Sequence, residues 1–212
     1  MQLSRKRIIA TATELIEADG VAAFSMQRLA AELGCGLISL YNYVPSTGAL
    51  LDDVADEVMS AVAWTAQPGT SLQDQAQALI RGFRQIASAH PRCAMLALAR
   101  RDFPASLMQL AETALANLRG AGFSAADAAR VVRALAAYML GLLVREGGFA
   151  PGLPDSDEVI APRLRPAEFP QLTELYLELR TSDVDGDFEF GLDLLASVIT
   201  AGPTEPGQVT SR

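Results

Sequence analysis

Hydrogen-bonding side chains are concentrated in one short uncharged stretch near the amino terminus. This stretch, residues 33–44, reads LGCGLISLYNYV and contains two tyrosines, an asparagine and a serine. Hydroxyl and amide groups can exchange hydrogen bonds with the base edges or the phosphates of a nucleic acid. Catalysis has less support, because the chain shows no paired acid and base and no metal-ligand set. The residue types therefore indicate a binding surface, and we do not expect an enzyme.

Two short helices joined by a glycine-containing turn are predicted to hold this stretch. Apolar residues in the first twenty positions recur with the period of one helix face, which predicts a first helix. Ser25 is suited to cap a second helix, and a third is predicted from about Leu37 to Tyr43. Two short helices packed on a preceding helix form a helix-turn-helix module. We therefore assign residues 1–45 to a DNA-binding head.

Burial between the two short helices decides which side chains face outward. Apolar residues of the second helix can meet Leu40 and Val44 of the third in the angle between them. The side chains left pointing mostly outward are Leu37, Ile38, Ser39, Tyr41, Asn42 and Tyr43. An α-helix fits the major groove of DNA, where the apolar members of this set could contact only thymine methyl groups. The alternative is that the tyrosines serve packing and that Ser39 and Asn42 are ordinary surface residues.

The net charge limits how such a surface could bind DNA. The chain of 212 residues carries a formal net charge of −8 at pH 7. A strong electrostatic footprint on nucleic acid would instead be basic. Few cations are available, among them Arg28 on the second helix, which either contacts the DNA backbone or is a plain surface charge. Arg5, Lys6 and Arg7 form either a phosphate clamp or minor-groove arm, or a run that favours solubility.

Alanine and leucine dominate the rest of the chain, a composition that favours helices over strands. We therefore predict an all-α fold in which a helical ligand-binding and dimerisation body, residues 46–201, follows the head. One continuous connecting helix over 46–66 is expected to link the two and to act as a lever. A proline- and glycine-rich loop is predicted over 147–170, and a flexible tail over 202–212.

Two segments resemble the tetracycline-repressor (TetR) family. The first covers residues 26–58, MQRLAAELGCGLISLYNYVPSTGALLDDVADEV, and is similar to the DNA-binding signature of that family. The second covers residues 188–199, FEFGLDLLASVI, and resembles the closing helix of the branch with a tetracycline-repressor-like ligand domain. The resemblance implies a homodimeric transcriptional regulator, most often a repressor, that reads a near-palindromic double-stranded DNA operator. It also implies release from that operator by a small-molecule effector.

Two positions depart from the family pattern. The family usually has Ser or Thr at the cap of the recognition helix, where this chain has Gly36. It usually has a Lys that touches phosphate at the start of the fourth helix, where this chain has Thr47. A hydroxyl and the backbone N–H groups of a helix N-terminus can still bind phosphate. The predicted DNA contacts are therefore Arg28, Leu37, Ile38, Ser39, Tyr41, Asn42, Tyr43 and Thr47.

Aromatic and methionine side chains predict an apolar cavity between helices of the body. The predicted lining consists of Trp64, Phe83, Ile86, Met95, Phe103, Met108, Tyr138 and Met139. The alternative for each of them is an ordinary place in the core. Family members that bind tetracycline hold magnesium with a histidine a little beyond the position of His90, and this chain has Ala97 in that region. We therefore expect no metal, no cofactor and a small apolar effector other than magnesium–tetracycline.

Two helices of the body carry the residues that the resemblance assigns to a dimer interface. On the helix after Ser124, small residues at 134, 137 and 141 would let a second helix approach closely. On the last helix, the apolar set is Phe188, Leu192, Leu195, Val198 and Ile199. These side chains either pair with their copies across a two-fold axis or fill the core of one subunit. A dimer would place two recognition helices about 34–36 Å apart, on successive major grooves.

The leading interpretation is a ligand-responsive, dimeric, DNA-binding transcriptional regulator, most often a repressor. The alternative is a helical small-molecule-binding or scaffold protein that has lost strong DNA binding, which Thr47 and the net-neutral charge of the head favour. We expect no membrane association, because the longest uncharged apolar stretch is Ala134–Val144 and a membrane span needs about 20 residues. No secretory signal is visible, and two cysteines are too few for a disulfide framework, so the sequence predicts a cytoplasmic protein.

Overall fold

The structure, a computed structural model, describes residues 3–64, 69–100, 104–148, 165–180 and 183–200. Every regular element in these ranges is helical, which confirms the prediction of an all-α fold. The helices are α1 (Arg5–Asp19), α2 (Met26–Leu33), α3 (Leu37–Tyr41), α4 (Thr47–Ser60), α5 (Leu72–Ala89), α6 (Pro91–Ala99), α7 (Ala105–Gly120), α8 (Ala125–Glu146), α9 (Pro170–Glu174), α10 (Tyr176–Arg180) and α11 (Val184–Thr200). A 3-10 turn, Val21–Ala23, lies between α1 and α2.

Serine side chains cap two helices of the amino-terminal head and the connecting helix that follows it. The hydroxyl oxygens of Ser4, Ser25 and Ser46 accept hydrogen bonds from backbone N–H groups three residues later, at 3.3, 3.3 and 3.1 Å. The predicted cap at Ser25 is thus confirmed, and each cap satisfies a donor that the first turn of a helix leaves open. α1 packs against α2 and α4, and α2 packs against α3. The fully buried side chains of this core include Ile8, Ile16, Leu29, Leu40 and Leu50.

The connecting helix is shorter than predicted. The sequence pattern predicts one helix over 46–66, but α4 ends at Ser60 and the chain then leaves the helix. Beyond that point Val62 and Trp64 are buried, and the alanines beside them are exposed. Leaving the helix lets both side chains face the core, since residues two apart on a helix point to different sides. The indole N–H of Trp64 donates to Gln75 Oε1 at 3.0 Å, which joins this segment to α5.

Helix α5 contacts α6, α8 and α11 of the body. Helices α6 and α7 both pack on α4, the connecting helix, which also packs on α1 of the head. Arg84 of α5 is held between two carboxylates, with Nε 2.8 Å from Glu146 and Nη2 2.7 Å from Asp185. Its guanidinium also lies 4.3 Å from the centre of the Phe188 ring, which fixes α5 against the last helix.

The last helix turns part of its predicted interface inward. Phe188, Leu192 and Ile199 are buried within their own subunit, and Leu195 is half-buried. For the three buried residues the core alternative holds, while the side chain of Val198 lies outside the described residues. The exposed large apolar residues of α11 include Phe190 and Leu194, which lie on the opposite face of the helix.

A glycine in the last helix permits the close approach of α8 and α11. A Cβ atom at Gly191 would collide with the ring of Tyr138. The hydroxyl of Tyr138 donates to the backbone oxygen of Phe188 at 3.0 Å, and burial raises the pKa of that hydroxyl. Helices α8 and α11 are therefore joined through Tyr138, whose ring packs against Gly191.

Parts of two predictions lie outside the described residues. The predicted loop over 147–170 is described only at its ends, where α8 ends at Glu146 and residues 165–169 lead into α9. The predicted tail over 202–212 lies outside the described residues entirely. Helices α9 and α10 are five residues long each and pack against each other. Among the described helices, none combines the length and the apolar character that crossing a membrane requires.

Candidate nucleic-acid interface and apolar cavity

Helix α3 presents the uncharged segment on the surface of the head. Of its five residues only Leu40 is buried, where it meets the core between α2 and α3. The exposed side chains of the segment are Ile38 (81%), Ser39, Tyr41 (45%), Asn42 and Tyr43 (40%), and Leu37 is half-buried. The predicted outward direction of the polar side chains is therefore confirmed. That they contact DNA stays a prediction.

The helical part of this segment ends two residues earlier than predicted. α3 ends at Tyr41, and the next two residues form the turn that leads to α4. The backbone N–H groups of Tyr43 and Val44 both donate to the Leu40 oxygen, at 2.9 and 3.1 Å. Pro45 follows at once, and a proline disfavours the helical conformation of the residue before it. The two tyrosines consequently lie at the exposed carboxyl-terminal end of α3.

A left-handed glycine sets the angle between α2 and α3. Gly34 has φ 65° and ψ 37°, a conformation that residues with side chains rarely adopt. The N–H groups of Gly34 and Cys35 donate to the Ala31 and Ala30 oxygens at 3.1 and 3.0 Å, which ends α2. Gly36 then precedes α3 and provides no side-chain cap. The orientation of α3 therefore depends on the glycine turn and on core packing.

A hydrogen bond ties the beginning of α1 to the end of the uncharged segment. The hydroxyl of Tyr43 donates to the backbone oxygen of Leu3 at 3.1 Å. Arg5, in the first turn of α1, and its neighbour Lys6 are exposed. The predicted basic run consequently lies beside the predicted recognition surface.

Two arginines of the head are paired with carboxylates. The Arg5 guanidinium donates two hydrogen bonds to Asp53 of α4, at 2.8 and 2.7 Å, and these bonds raise the pKa of Arg5. Arg28, a predicted DNA contact, forms an ion pair with Asp19 at the end of α1. Both pairs are largely exposed, so solvent and salt weaken them. A DNA phosphate would have to compete with Asp53 and Asp19 for these two arginines.

Thr47, the last of the predicted DNA contacts, is the first residue of α4 and is half-buried. The hydroxyl of the neighbouring Ser46 is already engaged in capping the helix. The Gly48 oxygen accepts a hydrogen bond from Arg100 Nη2 at 3.2 Å, and Arg100 also pairs with Asp52. The start of α4 is therefore held from two sides, by the turn after α3 and by the end of α6.

A cavity of about 150 Å³ lies between α5, α6, α7 and α8. Its wall consists of Leu79, Phe83, Leu98, Leu107, Leu110, Ala111, Ala114, Val132, Leu135, Ala136, Met139 and Leu140. Phe83 and Met139 are the predicted lining residues found in it. Ala136 and Leu140 are exposed on α8, so the cavity opens toward that side. Every side chain of this wall is apolar, so the wall offers hydrophobic and dispersion contacts and no side-chain hydrogen bond.

Three other predicted lining residues pack elsewhere in the body. Trp64 is buried against α5 through its indole hydrogen bond. Tyr138 faces α11 and bonds to the Phe188 backbone. Ile86 is half-buried against the hydrophobic core. These three residues therefore have ordinary places in the core, which was the alternative to a place in the cavity lining.

The remaining predicted lining residues also lie away from the cavity or cannot be placed. Met95 lines a groove beside the 3-10 turn, and Met108 is 55% exposed on α7. Phe103 lies outside the described residues. The wall is formed instead mainly by leucines and alanines at the three- and four-residue spacing of one helix face. That spacing, and not aromatic or methionine content, is the signal that identifies the wall.

The cysteine of α6 is shielded from reaction. Cys93 has no exposed surface, and burial, with smaller contributions from Glu17, raises the pKa of its thiol. Cys35 is half-buried in the turn between α2 and α3. Because the thiolate is the reactive form of cysteine, the two thiols should differ in reactivity.

We expect iodoacetamide at about pH 8 to modify Cys35 and to leave Cys93 unmodified in the folded protein. Peptide mass spectrometry after timed quenching measures the two rates. Protein unfolded in urea is the control, and both cysteines should react there. Equal rates in the folded protein would contradict the burial of Cys93.

The chain is similar in sequence to known proteins. The family described as "Tetracyclin repressor-like, C-terminal domain" matches residues 65–201. An HTH-type transcriptional regulator of Saccharopolyspora erythraea is 31% identical over 144 residues, which are 68% of this chain and 61% of that protein. The chain thus spans less than two thirds of that relative's length. HTH-type transcriptional repressor DrrR1 of Streptomyces coeruleorubidus is 28% identical over 206 residues, which are 90% of this chain and 74% of the relative.

Solved structures share the fold over nearly the full chain. Apo ActR from Streptomyces coelicolor superposes with a TM-score of 0.78 and 30% identity, over 95% of this chain and 97% of its own. The same protein in complex with actinorhodin superposes with a TM-score of 0.76 and 28% identity, over 95% and 99% of the two chains. The likeness therefore includes the head as well as the body.

Proposed function

Because the chain belongs to the tetracycline-repressor family of transcriptional regulators, we propose that it is a dimeric repressor released from its DNA operator by a small apolar molecule. The observation that carries the proposal is the exposed, uncharged face of α3 on a helix-turn-helix head. DrrR1 is named a transcriptional repressor, and ActR has been solved with actinorhodin bound. Repression and ligand control are extended to this chain from those two proteins.

Operator recognition is assigned to the exposed face of α3 and its surroundings. Tyr41 and Asn42 would hydrogen-bond to base edges or phosphates, and Ile38 would contact thymine methyl groups. Arg28 and Thr47 would bind phosphates on either side of α3. The small number of cations in the head makes correct placement of each one important for affinity.

Exposed apolar side chains on α8 and α11 support a homodimer. Phe190 and Leu194 of α11 are 68% and 56% exposed, and Leu140 of α8 is exposed among small residues. Monomeric proteins rarely leave large apolar faces in water. A second copy bound through this interface, which we define as Leu140, Phe190 and Leu194, would cover it. The two-fold axis would also supply the second α3 that an operator with two half-sites requires.

The apolar cavity supports an effector without polar groups. An engineered cavity of about 150 Å³ with similar lining in another protein stays dry and binds benzene or xenon. A molecule of that kind gains hydrophobic and dispersion contacts in such a wall and leaves no hydrogen-bonding group unpaired. To release the operator it must bind more tightly to a conformation that does not bind DNA. Leu98 of α6 belongs to the wall, and Arg100, just beyond α6, is bonded to α4.

Selection of DNA by the purified protein tests the proposed function. We expect repeated rounds of binding to random duplexes to enrich a near-palindromic sequence. We name the enriched duplex the selected operator. Footprinting on that duplex should show protection on successive major grooves. The alternative function, a small-molecule-binding or scaffold protein without strong DNA binding, predicts that a folded protein enriches no sequence.

Filling the cavity should remove binding of an apolar probe. We expect benzene to raise the Tm of the wild type, because a ligand that binds the folded state stabilises it. Ala114→Phe should abolish that shift, since Ala114 is buried in the cavity wall. Ala116→Phe makes the same change at an exposed position of α7 and should preserve the shift. Each shift is measured against the same variant without benzene, and an unchanged shift in Ala114→Phe would place the probe elsewhere.

Removing a carboxylate that competes with phosphate should strengthen operator binding. Asp53→Asn frees the Arg5 guanidinium from its ion pair, and we expect an affinity gain on the order of threefold with a steeper salt dependence. Fluorescence anisotropy with the selected operator at several salt concentrations measures both. Glu112→Gln makes the same change of net charge on α7 and is the control. Equal gains from the two variants would show that only net charge matters.

A further inference from the structure

The amino terminus of α6 has no cap within its own segment. His90 precedes the helix and makes no side-chain hydrogen bond to it. Pro91 occupies the first helical position and has no backbone N–H. The next N–H groups of the first turn have no acceptor inside the helix. α6 therefore depends on another element to satisfy its first turn.

That element is α1. Glu17, in the last turn of α1, accepts hydrogen bonds from the backbone N–H groups of Arg92 and Cys93, at 3.2 and 2.8 Å. Each of its two carboxylate oxygens accepts one of these bonds. A carboxylate is favoured at this position by the hydrogen bonds and by the positive end of the helix dipole. The cap of α6 thus comes from the head.

The contact is reciprocal. The guanidinium of Arg92 donates to the backbone oxygen of Glu17 at 3.0 Å. This carbonyl belongs to the last turn of α1, which ends at Asp19, and the last carbonyl oxygens of a helix have no partner within it. An anion at the positive end of α6 and a cation at the negative end of α1 therefore hold the two helix ends together. We name this pair of contacts the reciprocal cap.

Both helices of the reciprocal cap reach functional parts of the protein. Leu98, on the cavity side of α6, belongs to the apolar wall. The other end of α6 is held to α4 by the ion pair of Arg100 with Asp52. α1 begins beside the recognition segment, where the Tyr43 hydroxyl bonds to the Leu3 backbone. The reciprocal cap therefore lies between the cavity and the predicted DNA-reading surface.

We propose that the reciprocal cap is the joint that fixes the orientation of the DNA-reading head on the body, with Glu17 as its positioning residue. The inference rests on the proposed function, because head orientation affects affinity only if the head binds an operator. A fixed head keeps the two copies of α3 at the separation that successive major grooves require. A shift of α6 moves α1 with it. This joint links α6 to the head through α1, in addition to the direct contacts between α6 and α4.

A purely structural role of Glu17 predicts a different result. If Glu17 served only to satisfy the first turn of α6, a capping residue within that segment would replace it. His90→Asp supplies one, since aspartate is among the preferred residues before a helix. Combined with Glu17→Gln, this substitution caps α6 without a carboxylate from α1.

The experiment compares Glu17→Gln, His90→Asp and the double variant by Tm and by affinity for the selected operator. Glu17→Gln removes the charge and one of the two acceptors with little change in shape. We expect it to lower the Tm and to weaken operator binding by about tenfold, as loss of hydrogen bonds to a charged group does. In the double variant the Tm should return toward the wild-type value and the affinity should stay weak. An affinity unchanged by Glu17→Gln, or restored together with the Tm in the double variant, would overturn the joint.

Arg92→Gln tests the other half of the reciprocal cap. It replaces Glu17→Gln as the test if that variant does not fold. It removes the guanidinium bond to α1 and keeps the carboxylate at α6. We expect weaker operator binding here too, and an unchanged affinity overturns the joint. If the wild-type protein selects no duplex, both the proposed function and the proposed joint are wrong. If the wild-type protein binds the selected operator and the variants bind it equally well, only the proposed joint is wrong.

Discussion

Tyr41→Ala is expected to weaken binding of the selected operator by at least about tenfold, because one good contact to a base is worth about 1–3 kcal/mol and a dimer makes it twice. The Tyr41 side chain is 45% exposed at the end of α3. Its removal takes a ring and a hydroxyl from the predicted reading surface. The loss of folding stability should be small, as it usually is at surface positions. Anisotropy titration with a labelled duplex at fixed salt measures the affinity, and circular dichroism measures the Tm.

Two further variants interpret this result. Tyr41→Phe keeps the ring and removes the hydroxyl, so an intermediate loss would assign part of the effect to hydrogen bonding. Met108→Ala truncates an exposed side chain of the body and should leave affinity unchanged. A Tyr41→Ala affinity within about twofold of wild type, the size of an ordinary surface effect, would mean that α3 does not read DNA through this residue.

Leu194→Glu is expected to dissociate the dimer and, with it, to abolish tight operator binding. A residue near a two-fold axis is changed in both subunits at once, so each substitution places two carboxylates in the interface. Burying an unpaired charge costs several kcal/mol, which predicts a weakening of dimerisation of at least about a hundredfold. A single α3 then reads only one half-site. Light scattering coupled to size-exclusion chromatography measures the mass, and anisotropy measures operator affinity.

The matched control introduces the same charge outside the proposed interface. Met108→Glu alters an exposed apolar residue of α7 and should leave the mass of the dimer unchanged. Leu194→Met keeps an apolar side chain at the original position and should also remain dimeric. A dimer that survives Leu194→Glu would locate the subunit contact on another surface.

The head is largely predictable from sequence because its signals are local. Ser25 accepts the hydrogen bond of an N-cap, and the glycine at 34 has the left-handed conformation that a tight helix end requires. The apolar spacing separates buried Leu40 from exposed Tyr41. Each of these signals depends on residues within one or two turns. The same reasoning fails at the end of α3, where the turn before Pro45 shortens the helix by two residues.

The body is less predictable because its details depend on contacts between distant segments. The apolar repeat of α4 gives no sign that the helix ends at Ser60, since this end is set by burial of Val62 and Trp64 in the core. Membership of the cavity wall depends on how four helices are rotated against each other. Phe83 and Met139 face the cavity, while other large apolar residues, equally suitable by type, pack elsewhere.

The caps that one helix provides for another have no local signature. In the sequence, Glu17 is one of several carboxylates on an amphipathic helix, yet in the structure it caps α6. Asp56 of α4 accepts a hydrogen bond from the Ser106 N–H at 2.8 Å and so holds the start of α7 in the same manner. Such caps between helices become visible only when the fold brings the helix ends together.

The chemistry of the cavity wall would also determine how the proposed effector arrives. A compound that prefers a hydrocarbon-like wall to water prefers the interior of a lipid bilayer for the same reason, because one transfer free energy governs both. Such a compound would therefore dissolve in a lipid bilayer and could cross it without a transporter. Its supply to the protein is then set by partition between lipid and water. A regulator with this cavity would respond to substances that accumulate in lipid while their dissolved concentration is still low.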